Sequence, residues 1–153
     1  MEEPATAGGL KRTVQILLVE DNPADVRLTT EAFCESNVRH RLHVASDGVE
    51  ALAYLRREAP HEYASRPDLV ILDLNLPRKD GREVLAEIKS DPALKRIPVL
   101  ILTTSQAEAD VVQCYDLHAN CVLSKPLPFD RFVASVASLR DFWLSTATLP
   151  PRE

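Results

Sequence analysis

At 153 residues, with 45% hydrophobic and 27% charged residues, the chain has the size and balance of one soluble domain around one core. A formal net charge of −5 argues against a general electrostatic grip on nucleic acid, and no apolar run approaches membrane-spanning length. The three cysteines, Cys34, Cys114 and Cys121, are odd in number and lack C-x-x-C spacing, which argues against a disulfide framework or zinc site and points to a reducing cytoplasm.

Residues 1–12 are small and polar, without periodicity or a signal-peptide core, and are expected to form a disordered leader. Val14 to Val19 is an apolar run, the pattern of a buried strand, and stops at Glu20-Asp21. Asn22-Pro23 supplies a cap and a proline for the first helical turn, so a helix is expected over Ala24 to Cys34. Leu42 to Ala45 is a weaker second strand. Asp47 and Glu50 have capping-box spacing, which starts a helix that continues over Ala51 to Arg57. A polar connection, Pro60 to Pro67, leads to Leu69 to Leu72, a strand of β-formers ending at Asp73. Pro77, Asp80 and Gly81 turn the chain into a third helix, Gly81 to Lys89, with Val84, Leu85 and Ile88 on one face. Val99 to Leu102 is a fourth strand closed by Thr103-Thr104, and Ser105 to Glu108 is a second capping-box pattern opening a helix to about Leu117. Cys121 to Leu123 is a short fifth strand, followed by Ser124-Lys125-Pro126. Pro128 to Trp143 is the last helix, with an apolar stripe through Phe132, Val133, Val136, Leu139 and Trp143. The expected domain spans residues 13–145, with 146–153 as an extended tail.

Strands and helices alternate five times, which implies an α/β fold with a doubly wound parallel sheet and right-handed crossovers. All strand C-termini then share one edge, the usual place for ligands in such sheets. Glu20, Asp21, Asp73, Thr103 and Lys125 collect there. Three carboxylates in one crevice repel unless a cation intervenes, and oxygen ligands with few protein donors suit Mg²⁺, with Mn²⁺ as its substitute. A nucleophilic carboxylate beside a metal, a hydroxyl and an ammonium has the parts of a phosphoryl-transfer site.

These spaced signatures resemble the receiver domain of two-component response regulators over about residues 14–144: Glu20-Asp21, Asp73 with Leu76-Pro77 and Asp80-Gly81 following, Thr103 after Pro98 to Leu102, and Lys125-Pro126. The segments Glu-Asp-Asn-Pro-Ala-Asp, Leu-Asp-Leu-Asn-Leu-Pro-Arg-Lys-Asp-Gly, Leu-Thr-Thr-Ser and Tyr-Asp-Leu-His-Ala-Asn-Cys are similar to stand-alone regulators paired with bacterial phytochrome kinases. The resemblance implies a flavodoxin-like sheet of order 2-1-3-4-5 and a phosphoprotein rather than an enzyme, one that assists its own phosphorylation and dephosphorylation. It implies Asp73 as acceptor of a phosphoryl group from a histidine kinase and Asp21 as a metal ligand. Glu20 acts on the metal through water, and Asn75 offers its backbone carbonyl. Thr103 and Lys125 contact the phosphoryl group, with Lys125 pairing with Asp73 beforehand and Lys125-Pro126 forming a cis peptide. Asn75 and Ser105 hold the positions that tune dephosphorylation. A homodimer through the fourth helix, fifth strand and fifth helix is expected, with Tyr115, Phe142 and Trp143 as candidate contacts.

Val122 departs from the pattern, because the family usually has an aromatic switch residue there; Tyr115 and Phe129 are the nearby aromatic rings, and coupling is expected to rely on loop and helix shifts. No DNA-binding or effector domain follows Lys125, so output is expected by docking or changed self-association. Each site residue taken singly has an ordinary reading: Glu20-Asp21 as helix-dipole partners, Asp73 as a cap, Thr103 as a strand end and Lys125 as a surface charge. Arg56-Arg57 and Arg78-Lys79 read as solvated charges, and His40, His43, His61 and His118 lack metal-ligand spacing. A haloacid-dehalogenase-like phosphatase would need a second acid where Asn75 stands. A flavin carrier would need a phosphate loop where Asp21 to Ala24 is an acidic turn. A receiver reduced to a passive scaffold would not need every site position filled.

Overall fold

The computed structural model describes residues 13–104, 107–125, 128–142 and 148–151. In chain order its elements are β1 (Val14–Val19), α1 (Pro23–Glu35), β2 (His40–Ala45), α2 (Gly48–Leu55), β3 (Leu69–Leu72), α3 (Gly81–Ser90), β4 (Val99–Thr103), α4 (Glu108–Asp116), β5 (Cys121–Ser124) and α5 (Phe129–Asp141). The strands form one parallel sheet of order β2-β1-β3-β4-β5, the expected topology. Register carries the strand ends to a common edge: Val19 pairs with Ala45 and Leu72, Leu72 with Ile101, and Thr103 with Ser124.

β1, β3 and β4 read as unbroken apolar runs because both their faces are covered. Alternate residues enter two separate cores. Leu17, Val19, Val70, Leu72, Val99 and Ile101 pack with Leu52 of α2, Val84, Leu85 and Ile88 of α3, and Cys114 of α4. Ile16, Leu18, Ile71, Leu100 and Leu102 pack on the other face with Phe33 of α1 and with Phe132 and Val136 of α5. Leu149 packs against this second core, so residues 148–151, though without regular structure, return to the domain.

The helix starts are built locally. Asn22 Oδ1 accepts from the Ala24 and Asp25 amides, at 2.9 and 3.4 Å. Asp47 caps α2 through the Glu50 amide at 2.8 Å. Asp80 and Glu83 form a reciprocal capping box at α3. β2 begins at His40, two residues before the expected Leu42, and two helix boundaries differ as well. α2 ends at Leu55 because Arg57 takes a left-handed conformation, φ 56°, instead of continuing the helix. α4 starts at Glu108 behind an extended Ala107 (φ −66°, ψ 131°), three residues after the expected start of the capping-box pattern. Ser105, Pro126 and Trp143 lie outside the described residues, and with them the expected Lys125-Pro126 cis peptide; among the described residues the cis peptide is Ala59-Pro60. No helix among the described residues is long and apolar enough to cross a membrane.

Candidate functional site at the carboxyl edge of the sheet

Glu20 and Asp73 are the first residues past β1 and β3, and both stay tied to the sheet. The Glu20 amide donates to the Ala45 carbonyl at 3.0 Å, and the Asp73 amide to the Val19 carbonyl at 3.1 Å. Their side chains therefore project from a fixed edge. Glu20 is 2% exposed and Asp73 7%, while Asp21 beside them is exposed. One carboxylate oxygen from each of the three lies within 4.8 Å of the others. Asp73 is further oriented by the Asn75 amide, which donates to Asp73 Oδ1 at 3.2 Å. Asn75 itself is exposed.

Lys125 enters from the far side of the sheet. Its backbone amide donates to the Thr103 carbonyl, joining the ends of β4 and β5 at the site. Its Nζ donates to Glu20 Oε1 and to Asp25 Oδ2, both at 2.9 Å, and lies 3.6 Å from Asp73 Oδ2. The expected pairing with Asp73 is thus the longest of three. Asp25 is the residue that sequence reasoning missed, although it lies in the Glu-Asp-Asn-Pro-Ala-Asp segment and in the acidic first turn of α1, which opens at this edge. Thr103, 1% exposed, ends β4 beside Lys125.

The electrostatics are unbalanced toward negative charge. Burial pushes the Glu20 carboxyl up to about 7; the neighbouring Asp73 adds to this, and the Lys125 ammonium opposes it. Burial would lower the Lys125 pKa, but its hydrogen bonds to Glu20 and Asp25 and the charge of Asp73 raise it above its ordinary value. One ammonium does not neutralise Glu20, Asp21, Asp25 and Asp73 together. An all-oxygen donor set with excess negative charge fits a hard divalent cation.

α3 presses directly on the backbone of Asp73 and Leu74. A Cβ on Gly81 would meet the Asp73 carbonyl oxygen at 2.2 Å and Leu74 Cα at 2.6 Å. The Gly81 amide donates to the Leu74 carbonyl at 2.9 Å. Arg78 and Lys79, expected as solvated charges, are engaged: Arg78 pairs with Asp47 at 3.2 Å and Lys79 with Glu87. Val122 is half-buried and packs against the core shared with α4, while Tyr115 and Phe129 stay 49% and 38% exposed, so neither ring fills the usual aromatic position.

Comparison with known proteins agrees with this geometry. The response regulator receiver domain family matches residues 16–137. Response regulator Rcp1 of Synechocystis is 51% identical over 135 residues, covering 88% of this chain and 92% of its own. The solved structure of the phosphorylated cyanobacterial phytochrome response regulator RcpA is 56% identical, with a TM-score of 0.85, covering 92% of this chain and all of its own. The manganese-bound form of Rcp1 is 50% identical with a TM-score of 0.82, covering 90% of this chain and 99% of its own. A parallel sheet of order 2-1-3-4-5, with acids, threonine and lysine gathered at its carboxyl edge, thus joins a family match over most of the sheet and helices: the chain belongs to the response regulator receiver family.

Proposed function

We propose that Asp73 is the phosphoacceptor of a signalling receiver and takes its phosphoryl group from a phosphohistidine of a sensor histidine kinase. The observation that carries this reading is the convergence of Glu20, Asp21 and Asp73 within 4.8 Å, with the Lys125 ammonium 3.6 Å from Asp73. In the transfer, an Asp73 carboxylate oxygen attacks phosphorus. An O–P bond forms, the P–N bond to the imidazole breaks, and the leaving imidazole takes up a proton.

Asp21 and Asp73, the Asn75 backbone carbonyl, and Glu20 through water would hold Mg²⁺, with Mn²⁺ able to replace it. Bound there, the cation neutralises the carboxylates and the phosphoryl oxygens as charge moves between them. Lys125 would exchange its contacts with Glu20 and Asp25 for a phosphoryl oxygen, and the Thr103 hydroxyl would donate to another. Pro126, as a cis peptide, would aim Lys125, and Asn75 and Ser105 would set the phosphorylated lifetime. The chain assists its own phosphorylation and dephosphorylation without turning over an external substrate.

The naming of Rcp1 and RcpA as response regulators, the latter of a cyanobacterial phytochrome, supports a phytochrome-type kinase as the donor. The work of the molecule lies in the cytoplasm, in a unit spanning residues 13–145. Incubation with acetyl phosphate and Mg²⁺ should add one phosphate by intact mass spectrometry, lost in Asp73→Asn and removed by chelation of the metal. Absence of that adduct in the parent chain would favour a passive scaffold.

A further inference from the structure

At the opposite end of the sheet from Asp73, a cavity of about 530 Å³ opens between the end of α2, the segment entering β3 and the α3–β4 connection. Arg56, Arg57, Arg66 and Arg96 line it against a single carboxylate, Asp91. On a chain of net charge −5 this is a local excess of positive charge. The arginines are not equivalent. Arg56 belongs to the wall, pairing with Glu87 at 3.2 Å and Asp91 at 3.8 Å. Arg66 donates one N–H to the Ala93 carbonyl at 2.7 Å, which anchors its fork across the α3–β4 connection. Arg57 and Arg96 are exposed, and their side chains make no hydrogen bond or ion pair among the described residues.

We propose that this cavity binds a phosphorylated small molecule of nucleotide size. Its volume lies within the range of small-molecule sites, roughly 300–1,000 Å³. The guanidinium forks match phosphate oxygens in geometry, and several of them against one carboxylate call for a ligand with at least two negative charges. Pro92, Ala93 and Pro151, all exposed, supply an apolar wall, which inorganic phosphate would leave uncovered and a base or other ring would cover. Arg57, Arg66 and Arg96 hold the phosphates, and the ring lies toward Pro92 and Pro151.

The test is calorimetric titration of the full chain with ATP, AMP, pyrophosphate and a polyglutamate peptide, in EDTA so that the acidic edge binds no metal complex. ATP or AMP is expected to bind at sub-millimolar concentration and more tightly than pyrophosphate. Arg96→Gln is expected to weaken it about tenfold, the cost of one charge-assisted contact. Arg57→Asn should do the same while keeping the left-handed backbone at that position, which asparagine tolerates. Thermal melts confirm that each variant is folded, and either variant suffices if the other is not. No nucleotide binding, binding indifferent to both substitutions, pyrophosphate binding as tightly as nucleotide, or polyglutamate competing equally well would each overturn the proposal.

Discussion

Lys125 is the one cation shared by Glu20, Asp25 and Asp73, and its side chain is only 10% exposed. Removing one partner from a buried ionic cluster leaves the rest uncompensated, at a cost on the order of 3 kcal/mol. Part of that cost is relieved when Glu20 takes up a proton, because burial already holds its carboxyl high. Lys125→Met should therefore lower stability in metal-free buffer, yet gain more in melting temperature on adding Mg²⁺ than the parent chain does. Paired thermal melts with and without MgCl₂ check this, and equal metal shifts would contradict the shared-cation account. His43 is a half-buried group with a measurable consequence. Its Nε2 is buried without a hydrogen-bond partner among the described residues, and its ring stacks on Tyr54 at 4.1 Å with His61 edge-on at 5.7 Å. Burial lowers its pKa below the ordinary 6.5; a charged His61 lowers it further, and Glu50 opposes this. Below 6.5 the unfolded chain binds a proton at this position that the folded chain refuses, so the His43 contribution to stability is lost as pH falls. His43→Phe keeps the stack and removes the titration. Urea melts on either side of pH 6.5 should show a smaller fall in stability on acidification for the variant than for the parent.

At the scale of elements, α3 does more than cover the sheet. Gly81 opens it with its Cα against the acceptor strand, where any Cβ would overlap the Asp73 carbonyl and Leu74 Cα. Backbone cannot give way as a flexible side chain can. Gly81→Ala should cost about 1–3 kcal/mol, as overpacking does, and also slow phosphorylation by acetyl phosphate, because relief requires moving Asp73. Urea melts and the initial rate of adduct formation separate the two effects; a loss of stability with an unchanged rate would mean that α3 moves and Asp73 does not. This contact illustrates what sequence conveys. The strands were legible because burial on both faces leaves Val14 to Val19, Leu69 to Leu72 and Val99 to Leu102 apolar throughout, and the convergence of Glu20, Asp73 and Lys125 followed from parallel topology. Local signals failed where distant neighbours decide. α2 stopped at the left-handed Arg57, and Asp25 joined the site only because Lys125 crosses the sheet edge to it. The Gly81 spacing marked a helix start, but its proximity to Asp73 is a tertiary fact.

At the scale of the whole molecule, the question is how a charge change at Asp73 reaches a partner. Val122 packs against the core beneath α4 and is itself no aromatic ring, so the proposed path runs through the Thr103 and Lys125 backbones that join β4 to β5. Contraction of the Thr103 loop around a phosphoryl group would draw on the α4 start, where Ala107 offers no polar side chain of the kind that caps α1, α2 and α3. α4 also carries the exposed apolar surface: Val112 and Tyr115, one helical turn apart, are 50% and 49% exposed. Phe142, just past α5, is 55% exposed, so α4, β5 and α5 present the face proposed for self-association. A homodimer on that face should tighten on phosphorylation, because moving α4 changes the surface presented. Sedimentation velocity over a concentration series, with and without acetyl phosphate, should show the phosphorylated chain dimerising at lower concentration. Tyr115→Glu, at an exposed position outside the acceptor site, should abolish the difference while leaving phosphate uptake intact. A chain that remains monomeric in both states would shift the output to docking on a different protein, and a Tyr115→Glu dimer as tight as the parent would move the interface off α4.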